Sequence, residues 1–450
     1  MSKTGMQTNL MHGPIFKSMV LFALPILVSE IFQQFYNTMD TMIIGHALGE
    51  KALAAMGACA SIYEMLVGFA IGVGNGLAIV VSRNYGANEK EKLKKAVAAS
   101  IVIGIGITFV LAAATRVLLY PLLELLNTPE EIIGEAFRYI SMITLFVGVM
   151  FAYNLCAGLL RAIGDSVMPL IFLIISSLLN IALDFWLIYG MKMGVEGAAA
   201  ATVIAQAVSA LLCLGYIVFR SRILIPEKRH FRPDMGLYRE LLGQGLSIGF
   251  MNSIVSIGSV ALQSSINRLG YLTIAGHEAA RRVMFFCMMP LNALANAASV
   301  LVSQNKGADN RQRIRRAMRD MYLASVAIAA LTALVMIFAA PLLIEWISGS
   351  TEMVILQNGS RYLRVSTLFF AMLGIVISTQ YALQGVGQKI RPLFASAIEL
   401  TGKILFAVFL VPRFGYAAVI VCEPFLWTVM VVYLITVFYQ DPYIRRYRSQ

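Results

Sequence analysis

Ala78-Ile-Val-Val-Ser82-Arg-Asn-Tyr-Gly86-Ala87 returns about 221 residues later as Ser299-Val-Leu-Val-Ser303-Gln-Asn-Lys-Gly307-Ala308. Each copy runs into a basic stretch, Leu93-Lys-Lys-Ala-Val97 in the first and Ile314-Arg-Arg-Ala-Met318 in the second. A second set of matches lies at an offset of 223. Arg138-Tyr139 and Leu145-Phe146 pair with Arg361-Tyr362 and Leu368-Phe369, and Arg161-Ala-Ile-Gly164-Asp-Ser-Val-Met-Pro169 pairs with Gln384-Gly-Val-Gly387-Gln-Lys-Ile-Arg-Pro392. A repeat this long is no solenoid unit. In an apolar chain it is the pattern of a transporter built from two homologous lobes.

The chain is apolar throughout. Of 450 residues, 59% are hydrophobic and 13% charged, with a mean hydropathy of +0.76, which excludes a soluble domain and implies an integral membrane protein. The apolar stretches reach about 20 residues without strand-like alternation, so the fold is expected to be all-α rather than a barrel. Twelve spans are expected, at 15–44, 52–82, 96–122, 136–160, 168–189, 195–219, 240–267, 272–304, 317–347, 353–386, 391–411 and 415–439. The first fourteen residues are polar to mixed and no cleavable leader is expected.

Charge then sets the orientation. With both termini placed in the cytoplasm, 25 Lys and Arg residues fall on cytoplasmic segments and five (Lys51, Arg116, Lys192, Arg268, Arg413) on external ones. The net charge of +12 therefore reads as topology and attraction to anionic lipid heads, not as nucleic-acid binding. Five scattered cysteines and four single histidines suggest neither a disulfide framework nor a zinc site. The N-terminal lobe is expected over 1–219, a cytoplasmic linker over 220–234 and the C-terminal lobe over 235–450. An even number of spans per lobe gives both the same orientation, related by a pseudo-twofold axis along the membrane normal. The basic stretches 83–95 and 306–319 are expected to be short amphipathic segments at the cytoplasmic surface.

Polar residues inside spans are costly and mark candidate sites. Gln33, Tyr36, Asn37 and Asp40 form one stripe of span one; Ser176, Asn180 and Asp184 line span five; Thr202, Gln206 and Ser209 line span six. Converging, two carboxylates, an amide and a hydroxyl could coordinate a hard cation or share a proton. The second lobe lacks this set, offering Glu278, Arg281 and Arg282 in span eight and Glu399 with Lys403 in span eleven. The Glu399 to Lys403 spacing is that of an intrahelical ion pair, with substrate contact as the second reading. Glu30, Glu64 and Glu423 receive no role. Gly72-Val-Gly-Asn-Gly76 lies within a span and reads as close helix packing, not a phosphate loop. Pro25 and Pro290 can kink their spans. Met284 and Met288 belong to a methionine-rich run that adapts to varied ligands. No nucleophile and base stand at a fixed spacing, which makes an intramembrane enzyme the remotest reading.

Leu24-Pro25, Tyr36-Asn37-Thr-Met-Asp40 with Gly45, Val81-Ser82 to Gly86-Ala87, Leu160-Arg161-Ala-Ile-Gly164-Asp165 to Pro169, Asn180 to Asp184 and Gly197-Ala-Ala together resemble the multidrug and toxic compound extrusion (MATE) transporters. The likeness covers essentially the whole chain and is strongest to the prokaryotic DNA-damage-inducible branch. It implies two six-helix bundles in a V around a central cavity, exporting lipophilic, often cationic organic compounds in exchange for inward Na+ or H+ by alternating access. It further implies a coupling site at Asp40, Asn180, Asp184 and Thr202, with the Ala198 carbonyl beside them; Pro25, a hinge or only a bend by its place in span one, is expected as the hinge. The substrate cavity would draw on Gln33, Tyr36, Asn37, Gln206, Glu278, Arg281, Met284, Met288, Glu399 and Lys403. No cofactor is expected, and the protein is expected as a monomer in the prokaryotic cytoplasmic membrane. A dedicated metabolite exporter or a lipid-linked precursor flippase of the same superfamily is the alternative.

Overall fold

The computed structural model describes residues 7–125 and 128–445; Lys3, Arg446 and Arg448, counted above among the cytoplasmic basic residues, lie outside them. The described residues form helices and turns, with no strand among them. In chain order the helices are α1 (Ile15–Leu48), α2 (Glu50–Gly86), α3 (Lys90–Leu125), α4 (Glu130–Leu145), α5 (Val147–Ala162), α6 (Val167–Asp184) and α7 (Val195–Arg220), then α8 (Met235–Ile266), α9 (Tyr271–Gly307), α10 (Arg311–Ser348), α11 (Met353–Leu368), α12 (Phe370–Val386), α13 (Ile390–Leu405), α14 (Val411–Phe414), α15 (Tyr416–Gln440) and α16 (Pro442–Arg445). Among the described residues ten helical stretches are long and apolar enough to cross a membrane, α13 together with the turn and α14 that continue it counting as one, and the two bent pairs, α4–α5 and α11–α12, raise the number to twelve if each pair is one span.

Those two breaks are one feature written twice. Span four bends by 47° and span ten by 56°, at Phe146 and Phe369, the residues matched by the repeat. Both phenylalanines leave helical geometry, with φ −102° and −99°. Two residues before each stands a threonine whose hydroxyl donates to the carbonyl four residues back, Thr144 to Ile140 at 2.8 Å and Thr367 to Leu363 at 2.8 Å. Such back-bonding competes with the backbone ladder and favours a bend. A second duplicated irregularity follows α6 and α13, where the chain makes π-type turns at Phe185–Gly190 and Phe406–Leu410.

The basic stretches 83–95 and 306–319 are not separate amphipathic segments. Long helices run almost into one another there, α2 to α3 and α9 to α10, through tight turns in which Asn88 and Asp309 take left-handed backbone conformations (φ 57° and 52°). Asn and Asp tolerate that region better than most residues, so the chain reverses without a spacer.

The chain folds into two compact units. Unit 1 comprises Met1–Asn9 and Val28–Ser253, and unit 2 comprises Leu10–Leu27 and Ile254–Gln450. In unit 1, Val73, Leu77, Val81, Leu93, Phe151 and Leu155 form one apolar cluster, and Ile43, Ile44, Leu119, Leu123, Ile140 and Ile143 another. The glycines at 72 and 76 let α2 approach the first half of α8 closely: a Cβ on Gly76 would lie 2.6 Å from the Gln244 carbonyl oxygen. The linker carries two short 3₁₀ turns, Arg222–Leu224 and Lys228–Phe231. It is pinned to α3: Lys94 Nζ donates to Glu227 at 3.0 Å, Arg229 to Glu91 at 3.0 Å, and buried His230 meets Glu91 at 3.0 Å. Lys94 first, then Arg229, hold the Glu227 carboxyl below its usual range. In unit 2, Met19, Phe22 and Ile26 of α1 join Leu301, Met318, Leu383 and Phe438 in one cluster, and Met284, Phe370, Leu373 and Trp427 belong to another.

Candidate functional site

Unit 1 brings Asp40 of α1 and Asp184, the last residue of α6, within hydrogen-bonding reach of one another. Both are buried, Asp184 completely, and so is Asn180 one turn before it. Carboxylates only accept hydrogen bonds, so facing one another they supply no donor. Both Asp184 oxygens, Oδ1 of Asp40, and both polar atoms of the Asn180 amide have no hydrogen-bonding partner. An ionised carboxylate held this way costs several kcal/mol, and two side by side cannot both stay ionised without a cation or a shared proton. All the unpartnered oxygens are hard donors, suited to Na+ or H+. Thr202 and Ala198 are buried on α7, which packs against α6.

The remaining stripe residues divide by role. Tyr36 is buried close to Gln33 and to Gln206, whereas Gln33 and Asn37 are exposed. Ser176 donates to the Leu173 carbonyl of its own helix at 3.0 Å, and Ser209 donates across to Phe172 at 3.2 Å, so both hydroxyls serve helix packing. Sequence reasoning missed Tyr63 and Tyr139, whose phenols stand in electrostatic reach of Asp40. Tyr139 had been visible only as a marker of the repeat.

Unit 2 places an ion-pair cluster at the matching position. Asn180 aligns with Lys403, and Lys403 is buried with its ammonium 2.8 Å from Glu399 and 3.6 Å from Glu423, donating also to Ser259 Oγ at 3.3 Å. Tyr362, the repeat partner of Tyr139, donates to Glu423 at 2.8 Å. His277 lies edge-on to Tyr362, with ring centroids 4.9 Å apart, and its Nδ1 is 3.1 Å from the Tyr416 hydroxyl. Glu423, which the sequence left without a role, is thus a member of this network, and nothing in its own neighbourhood of the chain pointed there.

A cavity of ≈310 Å³ adjoins the cluster, lined by Arg281, Met284, Met288, Glu399, Lys403 and Glu423 among others. Arg281, Met284 and Met288 stand at i, i+3 and i+7, one face of α9; Glu278, one turn before Arg281, is exposed and does not line the cavity. The methionine wall therefore sits beside Arg281 and Lys403 in unit 2, and the acidic pair sits in unit 1. Pro25 lies half-buried inside α1, three residues before the chain passes from unit 2 to unit 1. Among the described residues no cluster of three or more His, Cys, Asp or Glu could hold a metal ion.

Known proteins carry the same fold and sequence pattern. The chain is 28% identical over 396 residues to the probable multidrug resistance protein YoeA of Bacillus subtilis (strain 168), covering 86% of this chain and 85% of that protein. It is 23% identical over 412 residues to the multidrug export protein MepA of Staphylococcus aureus (strain N315), with 91% and 90% covered. A solved structure described as the outward-facing conformation of a multidrug resistance MATE family transporter of the MOP superfamily superposes with a TM-score of 0.87 at 22% identity, over 97% of this chain and 99% of the other. A MOP superfamily transporter from Pyrococcus furiosus Vc1 matches equally, with a TM-score of 0.87 at 22% identity and the same coverage. The MatE family model matches twice, at 25–186 and 247–409, once on each copy of the repeat, and the chain belongs to that family, the multidrug and toxic compound extrusion transporters of the cell membrane.

Proposed function

We propose that this protein is a secondary antiporter that exports lipophilic, often cationic organic compounds in exchange for inward Na+ or H+, with Asp40 and Asp184 as the coupling pair and Asn180 and Thr202 beside them. The observation that carries the reading is the buried, donor-free carboxylate pair with an unpartnered amide one turn away. Such a pocket is poor at holding two negative charges and good at holding them with one positive charge. Ion entry then favours one conformation of the unit, and substrate release follows from the shift in population. Pro25 is the proposed hinge, in α1, the helix that carries Asp40. The names of YoeA and MepA as multidrug proteins support the substrate class. The lobes are proposed as 1–219 and 235–450 joined by the 220–234 linker, and the protein as a monomer with cytoplasmic termini in a prokaryotic cytoplasmic membrane. The ionic cluster of unit 2 leaves open a dedicated exporter of one metabolite, which would protect cells against a single compound only.

The test is transport of a cationic dye by purified protein in liposomes, with Na+ and pH gradients imposed separately. Asp40→Asn and Asp184→Asn should each abolish gradient-driven efflux and leave folding intact, and the gradient that drives the unsubstituted protein names the ion. Wild-type rates in both variants would move the coupling site elsewhere.

A further inference from the structure

Within unit 1, α3 and α4 flank a groove of ≈770 Å³, with Met193 and Glu196 completing its wall. Phe109, Ala113 and Arg116 share one face of α3, and Arg138, Ser141 and Leu145 share one face of α4. The two helices run antiparallel from a short connection, so both stripes have the same polarity. Each carries a guanidinium toward the connection and, seven residues or about 10 Å further from it, a large apolar side chain. Phe109 is 76% and Leu145 66% exposed, so the apolar end opens sideways, where the bilayer lies. The charges of the wall do not cancel. Arg138 is paired with Glu196 at 3.7 Å, whereas Arg116, the other charged residue of the lining, makes no ion pair or hydrogen bond with any described residue. The hydroxyls of Thr115 and Thr144 donate to carbonyls of their own helices at 2.7 Å and 2.8 Å, which leaves Ser141 as a neutral polar group on the wall.

We propose that this groove holds one anionic glycerophospholipid of the bilayer, its phosphate at Arg116 and an acyl chain laid past Ala113 toward Phe109 and Leu145. A guanidinium takes a phosphate through two parallel hydrogen bonds, and an unpaired charge inside a span is costly until something pairs it. The small side chains of Ala112 and Ala113 leave the width that a chain needs. A zwitterionic headgroup brings its own ammonium, which meets two guanidinium groups as a like charge and is disfavoured. The acyl chain ends against Thr144 and Leu145, the two residues before the Phe146 break, so the lipid braces the bend of span four. None of the proposed coupling residues lines the groove, and lipid binding needs no gradient, so the proposal stands or falls apart from the export reading.

Native mass spectrometry of the full-length, delipidated protein in a neutral detergent reads the site directly. The protein is titrated with dioleoyl phosphatidylglycerol, with dioleoyl phosphatidylcholine and with glycerol phosphate, which has no chains. One saturating phosphatidylglycerol adduct is expected at concentrations about ten-fold below those for phosphatidylcholine, and none with the chain-free phosphate. Arg116→Gln, at an exposed position, should erase the preference between the two lipids, and Arg116→Lys should keep part of it. Ala113→Phe should weaken both lipids by filling the groove, and Arg413→Gln, in unit 2, should change nothing. Equal binding of the two lipids by the parent, an unchanged preference in Arg116→Gln, or chain-free phosphate binding as tightly as the lipid overturns the proposal. So does displacement of the lipid by a lipophilic cation, which would make the groove a substrate site. An arginine that only reaches for bulk headgroups would leave Ala113→Phe binding like the parent, and that result also overturns it. If Ala113→Phe does not fold, the parent and Arg116→Gln decide between them.

Discussion

Lys403 holds the position in its repeat that Asn180 holds in the other, and the two show how much one side chain redirects its surroundings. The amide in unit 1 leaves two acids to face one another; the ammonium in unit 2 gathers two acids around itself. Removing one partner from a buried ion pair strands the other charges and costs about 3–5 kcal/mol. Lys403→Met should therefore lower the melting temperature of the purified protein sharply, and Glu399→Gln much less, since Glu423 and Ser259 still hold the ammonium. Adding Glu399→Gln to Lys403→Met should recover part of the loss, because one stranded carboxylate is neutralised. If Lys403→Met melts with the unsubstituted protein, the cluster is not what holds these helices together. The Glu399 pair was legible in the sequence because i, i+4 spacing within one helix fixes proximity. Glu423 was not, because only packing of α15 on α13 brings it there, and a membrane helix carries polar residues at several phases without saying which phase meets which neighbour. Asp40 and Asp184 were legible as candidates by cost alone: a carboxylate inside a span needs a reason.

At the level of helices, the glycine run at 72–76 is a contact surface. Alanine at Gly76 would set a methyl against backbone of α8, which cannot swing aside as a flexible side chain can. Gly76→Ala should accordingly lower thermal stability and transport together, whereas Gly106→Ala, a helical position with open space around its Cβ, should hold or gain up to about 1 kcal/mol from better helix propensity. Thermal melting of both variants checks this, and a Gly76→Ala protein as stable as the parent would remove the close-packing account. The spans themselves were readable from hydropathy to within a few residues. Their interruptions were not: a break needs the local competition between a threonine hydroxyl and the backbone ladder, and neither Thr144-Leu-Phe nor Thr367-Leu-Phe carries a proline to mark it. The turns after α2 and α9 were misread for a related reason, since a basic run looks amphipathic whether it forms its own helix or only caps two others.

For the molecule as a whole, the distribution of 25 basic residues against five makes orientation testable without any transport assay. Cysteines placed near Lys90, Lys228 and Gln312 should react only with a reagent delivered to the cytoplasmic side, and those near Glu130, Met193 and Glu352 only from outside. Labelling of both sets from one side would break the twelve-span topology. The duplicated architecture was the most legible property of all, because two copies of one pattern confirm each other where a single copy would be noise. The joint at Phe146 and Phe369 has the same hydrogen bonds in both copies, while the buried polar chemistry of the two units has diverged completely, acids in one and an ion pair in the other. Duplication thus left the machine with a spare of everything, and on the proposed assignment it kept the spare joint and retooled the spare socket. An engineer can treat the halves as separate instruments, reworking the ion-pair cluster and methionine wall of the second without touching which gradient is harvested by the first.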